Sequence, residues 1–497
     1  MRARALMVLG TGSGVGKSLI TAGLLRVFSD MGRHCAPFKA QNMALNSFIT
    51  KDGGEIGRAQ ALQAEAARVE ATTDMNPILL KATGPAGSQV ITCGRVFGDM
   101  SARQYYDWKD EAWRIVTAAY ERLAGDHDFI IMEGAGSPAE INLMDKDIVN
   151  TRMARHAGAK AVLVGDIDRG GVFASLYGTV SLLGEARDII RGFIINKFRG
   201  DADILAPGMK MLEEKTGVQS LGVLPYLKLS LSEEDSLALD SRGAANGFVS
   251  RLALRVVVVR TPYISNFTDF EPLALEPDVD LFYSVRPGDI GGADLIIVPG
   301  SKNTSMDLLF LRDSGLEGSI KSAVKKGVPL IGICGGFQML GGVVKDPEGV
   351  ESEFEEIKGM GLLDIETVLE KTKITTQIEA VEAGQAGGDA GKVFGYEIHA
   401  GRSSGSLGLF ELKRLATGER VLDGSKKAGV WGTYIHGIFE NDAFRGRLLN
   451  SLRARAGMPG RDPVNYAEIK QESINTLAGM IREHLDFRRI ERLLCTG

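Results

Sequence analysis

The sequence has few cysteines, and their spacing offers no covalent framework. Only four occur in 497 residues, namely Cys35, Cys93, Cys334 and Cys495, and no two of them form a CxxC pair. This small number and wide spacing argue against a disulfide scaffold and against a structural zinc site. It is typical of a protein in a reducing, cytoplasmic environment.

Long apolar runs and an excess of basic residues are also absent. No apolar run reaches the ~18 residues that a membrane-spanning helix needs. The first ten residues, MRARALMVLG, lead into a glycine-rich turn without the features of a signal peptide. The net charge is −5, from 58 basic and 63 acidic residues. We therefore expect neither a nucleic acid nor a membrane as partner.

Proline is scarce, with 15 residues, whereas glycine is abundant, with 62. Short apolar runs alternate with amphipathic stretches, and this alternation predicts an α/β fold with parallel sheets covered by helices. The first series has predicted strands at 5–9, 129–132, 161–165 and 192–195, and predicted helices at 18–31, 59–69, 111–123 and 148–156. The second series has predicted strands at 254–259, 295–298, 329–333 and 393–398.

The pattern divides the chain into two domains. Residues 1–232 form the first, and the polar, acidic stretch 233–250 is a predicted linker. Residues 251–445 form the second domain. The final segment, 446–497, is a predicted helical extension packed on the second domain.

A candidate phosphate-binding loop follows the first strand, with the sequence GTGSGVGKS from Gly10 to Ser18. The backbone N–H groups of this loop would surround phosphate oxygens, and they belong to Gly12, Ser13, Gly14, Val15 and Gly16. Lys17 would reach the β- and γ-phosphates of ATP, and the Ser18 hydroxyl would bind Mg²⁺. The spacing departs from the strict GxxxxGK[ST] motif, and the alternative is a glycine-rich turn without a ligand.

Polar side chains end three further strands of the first domain. Glu133 follows an apolar strand and is a candidate ligand of the same Mg²⁺, or a capping carboxylate. Asp166 and Asp168 would contact substrate or metal, or cap the next helix. Asn196 is a weaker candidate for contact with the nucleotide base.

A candidate nucleophile lies in the second domain. Cys334 stands between a strand and a helix in a GxCxG pattern, the thiol counterpart of the GxSxG elbow. The helix N-terminus favours the thiolate form. The N–H of Gly335 is one expected oxyanion donor, and the turn at Gly300 and Ser301 would supply the other. The alternative is a small buried cysteine.

A thiolate that performs acyl transfer needs a base, and His436 is the candidate because it follows a strand of the second domain. His399 also ends a strand, and we expect it to line the same pocket or to be structural. The other four histidines occupy ordinary positions, namely His34, His127, His156 and His484.

Cys334, Gly336 and Gln338 fit the G-x-C-x-G-x-Q elbow of class I glutamine amidotransferases, which the second domain resembles. The resemblance implies a flavodoxin-like fold and hydrolysis of glutamine through a thioester. In most of that class Pro and Glu follow the histidine, but here Gly437 and Ile438 do. That departure is typical of the cobyrinic/cobyric acid subgroup, whose first domain is a P-loop domain similar to dethiobiotin synthetase.

Within this subgroup the similarity covers nearly the whole chain, through the runs at 37–46, 53–62, 74–77, 79–81, 166–171 and 196–199. It implies amidation of the b, d, e and g carboxylates of adenosylcobyrinic acid a,c-diamide, with ATP, Mg²⁺ and L-glutamine. Lys39, Gln41, Asn42 and Asn46 would then contact the corrinoid. We expect a monomer or homodimer.

Three alternatives remain open at this point. The sister activity of the subgroup amidates the a and c carboxylates instead. A ParA-like nucleotide switch would be an interaction protein. Its loop usually has an additional lysine near the start, which the segment 10–14 lacks here, and it needs neither Cys334 nor His436. An enzyme that amidates another polyacid, such as a cell-wall lipid, is disfavoured because no basic amphipathic stretch is present.

Overall fold

The computed structural model describes residues 3–83, 87–227, 229, 253–384 and 391–495. The predicted linker 233–250 lies outside these residues. The chain divides into two compact units, which are described separately below. The first consists of Met1–Ala44, Glu55–Leu231 and Lys470–Gly497, and the second of Leu45–Gly54 and Ser232–Ile469.

A six-stranded parallel sheet forms the centre of the first unit and confirms the predicted fold class. The strands Arg4–Gly10, Phe129–Glu133 and Lys160–Asp166 are buried almost throughout, because parallel strands covered on both faces appear in the sequence as continuous apolar runs. In spatial order the strands are Ser220–Pro225, Ile190–Phe198, Lys160–Asp166, Arg4–Gly10, Phe129–Glu133 and Cys35–Phe38.

Helices and a smaller sheet complete the first unit. The helices are Lys17–Asp30, Arg58–Ala67, Ala102–Asp126, Thr151–Ala157, Val172–Leu182, Ala202–Thr216 and Phe487–Cys495. The smaller, four-stranded sheet has the order Gln41–Met43, Ile78–Ala82, Gly87–Thr92 and Arg95–Ser101. A short strand, Glu55–Gly57, precedes the second helix, and 3₁₀ turns occur at Thr73–Met75, Met144–Lys146 and Gly184–Ile189.

The end of the chain belongs to the first unit. The helix Tyr466–His484 enters this unit at Lys470, and its Ile481 is fully buried in one apolar cluster with Leu6 and Val8 of the first strand. Asp486 N donates to Leu221 O at 2.7 Å. The prediction that 446–497 packs on the second domain is therefore wrong from Lys470 onward, because the apolar face of these helices covers the first sheet.

The second unit also has a central six-stranded sheet, in which the first five strands are parallel and the last is antiparallel. In spatial order the strands are Val279–Ser284, Leu254–Val259, Leu295–Val298, Leu330–Ile333, Val430–Thr433 and Ser425–Lys427. The helices are Glu271–Ala274, Pro287–Ile290, Thr304–Asp313, Leu316–Lys325, Gly335–Leu340 and Asp442–Arg455. The 3₁₀ turns are Phe267–Phe270 and Ile438–Glu440.

The predicted strand at 393–398 does not join the parallel sheet. It is part of Lys392–Gly405, which pairs antiparallel with Ile365–Glu382 in a separate mixed sheet. Burial alternates along Ile365–Glu382, as expected for a sheet with one solvated face. The other strands of this sheet are Glu356–Lys358, Val343–Lys345, Phe410–Arg414 and Arg420–Asp423, and a short antiparallel pair joins Ile264–Ser265 to Gly300–Ser301.

A segment from the predicted first domain belongs to the second unit. Leu45–Gly54 contains the strand Ser47–Ile49, and Ile49 packs against Tyr396 and Ile398. Gln377 Nε2 donates to Ile49 O at 2.9 Å. The segment is therefore held by backbone and apolar contacts inside the second unit, unlike the residues before and after it.

The described helices include none that is both long and apolar enough to cross a membrane.

We predict that Ile481→Ala destabilises the first unit by about 2–5 kcal/mol, because it leaves a cavity in a fully buried cluster. Hydrogen exchange should show lost protection in the strands Arg4–Gly10 and Lys160–Asp166. Leu449→Ala, a matched truncation in the core of the second unit, should leave those strands protected. Equal loss from both variants would contradict the assignment of the terminal helices to the first unit.

Candidate active sites

The candidate phosphate loop connects the strand Arg4–Gly10 to the helix Lys17–Asp30. Gly14 and Gly16 have φ angles of 70° and 101°, a left-handed conformation that favours glycine. A side chain at Gly16 would also collide with the amide of Asn196. The glycines are thus required by the backbone path and by a close neighbour.

The structure brings Lys17, Ser18 and Glu133 together, as the sequence predicted. Lys17 Nζ donates to Gly12 O at 2.7 Å and to Gly136 O at 3.0 Å. Ser18 Oγ donates to Glu133 Oε1 at 2.9 Å. The reason is topological, since the loop and Glu133 lie at the carboxyl ends of two neighbouring parallel strands.

Glu133 is buried and surrounded by donors. Lys39 Nζ lies 2.9 Å from Glu133 Oε1, and Gln63 Nε2 donates to Oε2 at 2.6 Å. Burial alone would raise the pKa of Glu133, but the charge of Lys39 and hydrogen bonds from Lys39 and Gln63 outweigh it and lower the pKa. Lys39, predicted to contact the corrinoid, is therefore a partner of Glu133. Gln63 was missed, because no motif distinguishes it on its helix.

The donors at this position fit Mg²⁺. A hydroxyl and a carboxylate meet at Ser18 and Glu133, and Gln63 Oε1 is buried without a hydrogen-bond partner in the part of the chain that the structure describes. The same part contains no group of three or more His, Cys, Asp or Glu arranged to hold a metal. Mg²⁺ usually takes only one or two carboxylates and completes its shell with phosphate oxygens and water.

Asn196 and Asp166 lie beside the loop. Asn196 Nδ2 donates to Val15 O at 2.9 Å, so the amide predicted to contact the base bonds to the loop backbone. Asp166 lies 3.2 Å from Lys197 Nζ, which also donates to Gly14 O at 2.7 Å. Asn196 and Lys197 therefore hold the loop backbone at Val15 and Gly14. The remaining predicted residues of this unit contact neighbouring side chains: Asp168 contacts Arg199, Gln41 contacts Tyr105 and Asn42 contacts Gln60.

In the second unit, Cys334 lies in a sharp turn between a strand and a helix. Its φ and ψ are 52° and −109°, a conformation that is rare for a residue with a side chain. Gly336 is required here because a side chain would collide with Val298 O. The thiol is buried, and Sγ lies 3.6 Å from Ile398 O. This geometry is that of a nucleophile elbow.

His436 interacts with Cys334 on one side and with Asp269 on the other. Its Nδ1 lies 2.6 Å from Asp269 Oδ2, and Gly437 N donates to Asp269 Oδ1 at 3.1 Å. Burial by itself lowers the pKa of His436, but the carboxylate of Asp269 and the charge and hydrogen bond of Cys334 raise it to about 10. Cys334, His436 and Asp269 are thus arranged as a Cys–His–Asp triad, in which the imidazole interacts with both the thiol and the carboxylate.

Asp269 is the third member that the sequence did not reveal. It precedes His436 by 167 positions and lies in the 3₁₀ turn Phe267–Phe270, after the strand Leu254–Val259. In most class I enzymes the acidic residue stands two positions after the histidine in sequence. Here the sequence signal was an acidic residue in the short run FTDF beyond a strand end, and that signal is not specific.

The predicted oxyanion donors lie at the same place. A side chain at Gly335 would lie 2.8 Å from Ser301 N, so these two backbone positions are neighbours. A side chain at Gly300 would lie 3.3 Å from His436 Cε1. Gly335, Ser301 and Gly300 therefore border the triad, and their role in binding an oxyanion stays a prediction.

His399 is held in a network beside the elbow. Its ring stacks on Tyr434 with centroids 3.8 Å apart, and its nitrogens contact Gly401 O and Glu397. Burial alone would raise the pKa of Glu397, but His399 and Arg414 lower it to about 2. These contacts support the structural alternative for His399.

Asn46 belongs to the second unit, whereas Lys39, Gln41 and Asn42 belong to the first. It is fully buried, and its Oδ1 accepts a hydrogen bond from Phe267 N at 3.0 Å. Its side chain therefore contacts the turn that carries Asp269.

Two protein-family models match the chain. Residues 6–237 match the CobQ/CobB/MinD/ParA nucleotide binding domain, and residues 255–444 match the CobB/CobQ-like glutamine amidotransferase domain. The cobyric acid synthase of Thermodesulfovibrio yellowstonii is 48% identical, over 98% of this chain and 99% of the relative. That of Syntrophobacter fumaroxidans is 47% identical, over 99% of both chains. That of Desulfitobacterium hafniense is 46% identical, over 99% of this chain and 98% of the relative.

We predict that Asp269→Asn slows alkylation of Cys334 by iodoacetamide at pH 7 by roughly tenfold or more, because a neutral imidazole stabilises the thiolate less. Mass spectrometry of the Cys334 peptide measures the rate. Asp346→Asn is the matched control, since Asp346 is also buried in this unit and its carboxylate accepts from backbone N–H groups at 350–352. An unchanged rate in Asp269→Asn would show that Asp269 does not act on the thiol through His436.

Proposed function

The chain belongs to the cobyric acid synthase family, and we propose on that premise that it amidates the b, d, e and g carboxylates of adenosylcobyrinic acid a,c-diamide. It is a glutamine-dependent, ATP-using amide ligase with a nucleotide-binding and an amidotransferase domain. One observation supports the proposal most strongly. The same chain has a Cys–His–Asp triad and a phosphate loop with a lysine, a hydroxyl and a carboxylate at its end.

The first reaction is hydrolysis of glutamine. The Cys334 thiolate attacks the carboxamide carbon, and the backbone N–H groups of Gly335 and Ser301 stabilise the oxyanion. His436 donates its proton to the departing nitrogen, so that ammonia leaves and a thioester remains. Water then attacks the thioester with His436 as base, and this step releases glutamate and restores the thiolate.

The second reaction activates a carboxylate, which is otherwise a poor electrophile. A carboxylate oxygen attacks the γ-phosphorus of ATP, ADP leaves, and an acyl phosphate forms. Ammonia then attacks the acyl carbon and displaces phosphate, which gives the amide. Lys17 and the loop N–H groups stabilise the charge on the transferring phosphoryl group. Mg²⁺, held by Ser18 and Glu133, would neutralise phosphate charge.

Substrate recognition is proposed for residues near this loop. Lys39 places a second ammonium beside Glu133, where it would attract a substrate carboxylate. Gln41 and Asn42 offer amides, and Asp166 and Asp168 are further candidates. Asn196 would contribute to nucleotide binding by holding Val15. The cytoplasmic location and the monomeric or homodimeric state stay predictions.

The experiment that tests the function combines purified protein, ATP, glutamine and each corrinoid precursor, and counts the amides formed by mass spectrometry. We expect four amidations of the a,c-diamide and none of the a and c positions of the unamidated precursor. Amidation at a and c would instead indicate the sister activity. A nucleotide switch without synthetase activity would form no amide from any precursor.

We predict that Cys334→Ser lowers glutamine-dependent synthesis by about 10³-fold or more, because a serine hydroxyl is a far weaker nucleophile at this site. Synthesis with ammonium chloride should stay within about twofold of the wild type, since the acyl phosphate needs only ammonia. Cys495→Ser, at a partly exposed terminal helix, is the control. Equal failure with both nitrogen sources would refute this division of labour.

We also predict that Lys17→Ala lowers synthesis by about 10²- to 10⁴-fold with either nitrogen source, because the transferring phosphoryl group loses its lysine. Lys210→Ala removes an exposed lysine of the same unit and should have no effect. Rates with glutamine and with ammonium chloride give the readout. Unchanged synthesis in Lys17→Ala would remove the loop from the mechanism.

A further inference from the structure

Three neighbours of the catalytic imidazole are each anchored to the same dipeptide, Asn46–Ser47. The first neighbour is the turn that carries Asp269. Asn46 Oδ1 accepts from Phe267 N at 3.0 Å, at the first residue of that turn. Because Asn46 is fully buried, this hydrogen bond is shielded from competition by water.

The second neighbour is Asn266. Ser47 N donates to Asn266 Oδ1 at 2.8 Å, and Asn266 Nδ2 lies 3.4 Å from both ring nitrogens of His436. Asn266 has a φ of 50°, a left-handed conformation that is uncommon for residues other than glycine. The hydrogen bond from Ser47 therefore stabilises both a strained backbone turn and an amide that contacts the imidazole.

The third neighbour is Tyr396. Its ring stacks on His436 with centroids 5.2 Å apart and planes 16° apart, and its hydroxyl donates to Ser47 O at 3.2 Å. The two backbones also bond directly, from Tyr396 N to His436 O and from His436 N to Tyr396 O. Asn46 and Ser47 thus contact the carboxylate turn, the amide and the aromatic ring that together surround His436.

We propose that Asn46 is a positioning residue of the glutaminase: its side chain fixes the Asn266–Asp269 turn, and thereby the orientation of His436 towards Cys334. The inference rests on the proposed function and departs from the expectation that Asn46 contacts the corrinoid. Asn46 touches neither Cys334 nor glutamine in this role, and it acts only through the turn. A backbone segment that precedes the second domain in sequence therefore completes the glutaminase site.

The two roles for Asn46 predict different kinetics. If Asn46 contacts the corrinoid, its substitution would raise the KM for the corrinoid with any nitrogen source. Loss of a positioning residue instead lowers kcat for glutamine hydrolysis, because a small displacement of the reacting groups slows the reaction and leaves binding intact. Loss of the positioning residue also moves the alkaline limb of the pH profile to lower pH. His436, raised to a pKa of about 10 by Asp269 and Cys334, would lose its proton at a lower pH once Asp269 is displaced.

The experiment compares Asn46→Ala with Thr50→Ala in the full-length enzyme. Thr50 is a matched control, because it is buried in the same segment and loses its own hydrogen bonds to Gly54, which do not involve the surroundings of His436. For Asn46→Ala we expect kcat for glutamine hydrolysis to fall by about 10- to 100-fold with the glutamine KM within about threefold. The alkaline limb of the Asn46→Ala pH profile should lie at lower pH than that of the wild type. Thr50→Ala should match the wild type in kcat, KM and pH profile.

Ammonia-dependent synthesis separates failure of this inference from failure of the proposed function. We expect Asn46→Ala to retain this activity and the wild-type KM for the corrinoid. A raised corrinoid KM, or an unchanged pH profile, would overturn the positioning role. Asn46→Asp keeps an oxygen acceptor for Phe267 N and should recover most of the lost kcat, and no recovery would also count against the role. If the wild type hydrolyses no glutamine, the proposed function itself fails.

Discussion

The contact between His436 and Asp269 is the interaction on which the proposed glutaminase site depends. Both side chains are buried, and an unpaired charge at either position would be strongly unfavourable. Pairing them raises the pKa of His436, so that the imidazole retains a proton beside the Cys334 sulphur. The amide of Asn266 and the stacked ring of Tyr396 also contact the imidazole of this pair.

In the first unit, the buried carboxylate of Glu133 is the group around which the candidate site is arranged. A buried carboxylate there is stable only because Ser18, Lys39 and Gln63 donate to it. Ser18 lies in the helix Lys17–Asp30, Lys39 directly follows the strand Cys35–Phe38, and Gln63 lies in the helix Arg58–Ala67. The carboxylate therefore holds three elements of the fold at one point beside the loop, and it offers oxygen to a cation where phosphates would bind.

The local sequence predicted a large part of both units. The strands at 5–9, 129–132, 161–165, 254–259 and 295–298 were correct because buried parallel strands are continuous apolar runs. The phosphate loop and the Cys334 elbow were also predictable, since their glycines are dictated by short-range backbone geometry. The strand at 393–398 was placed in the wrong sheet, because an apolar run of that length does not specify its partner strand.

What the sequence determined by itself was therefore local: periodicity, tight turns and the residues directly around each motif. Tertiary structure alone decided that Asp269 faces His436, that Asn46–Ser47 supports both, that Gln63 contacts Glu133 and that the last helices cover the first sheet. The physical reason is that these contacts join residues far apart in the chain. Their geometry depends on how complete elements pack, and no spacing between residues encodes it.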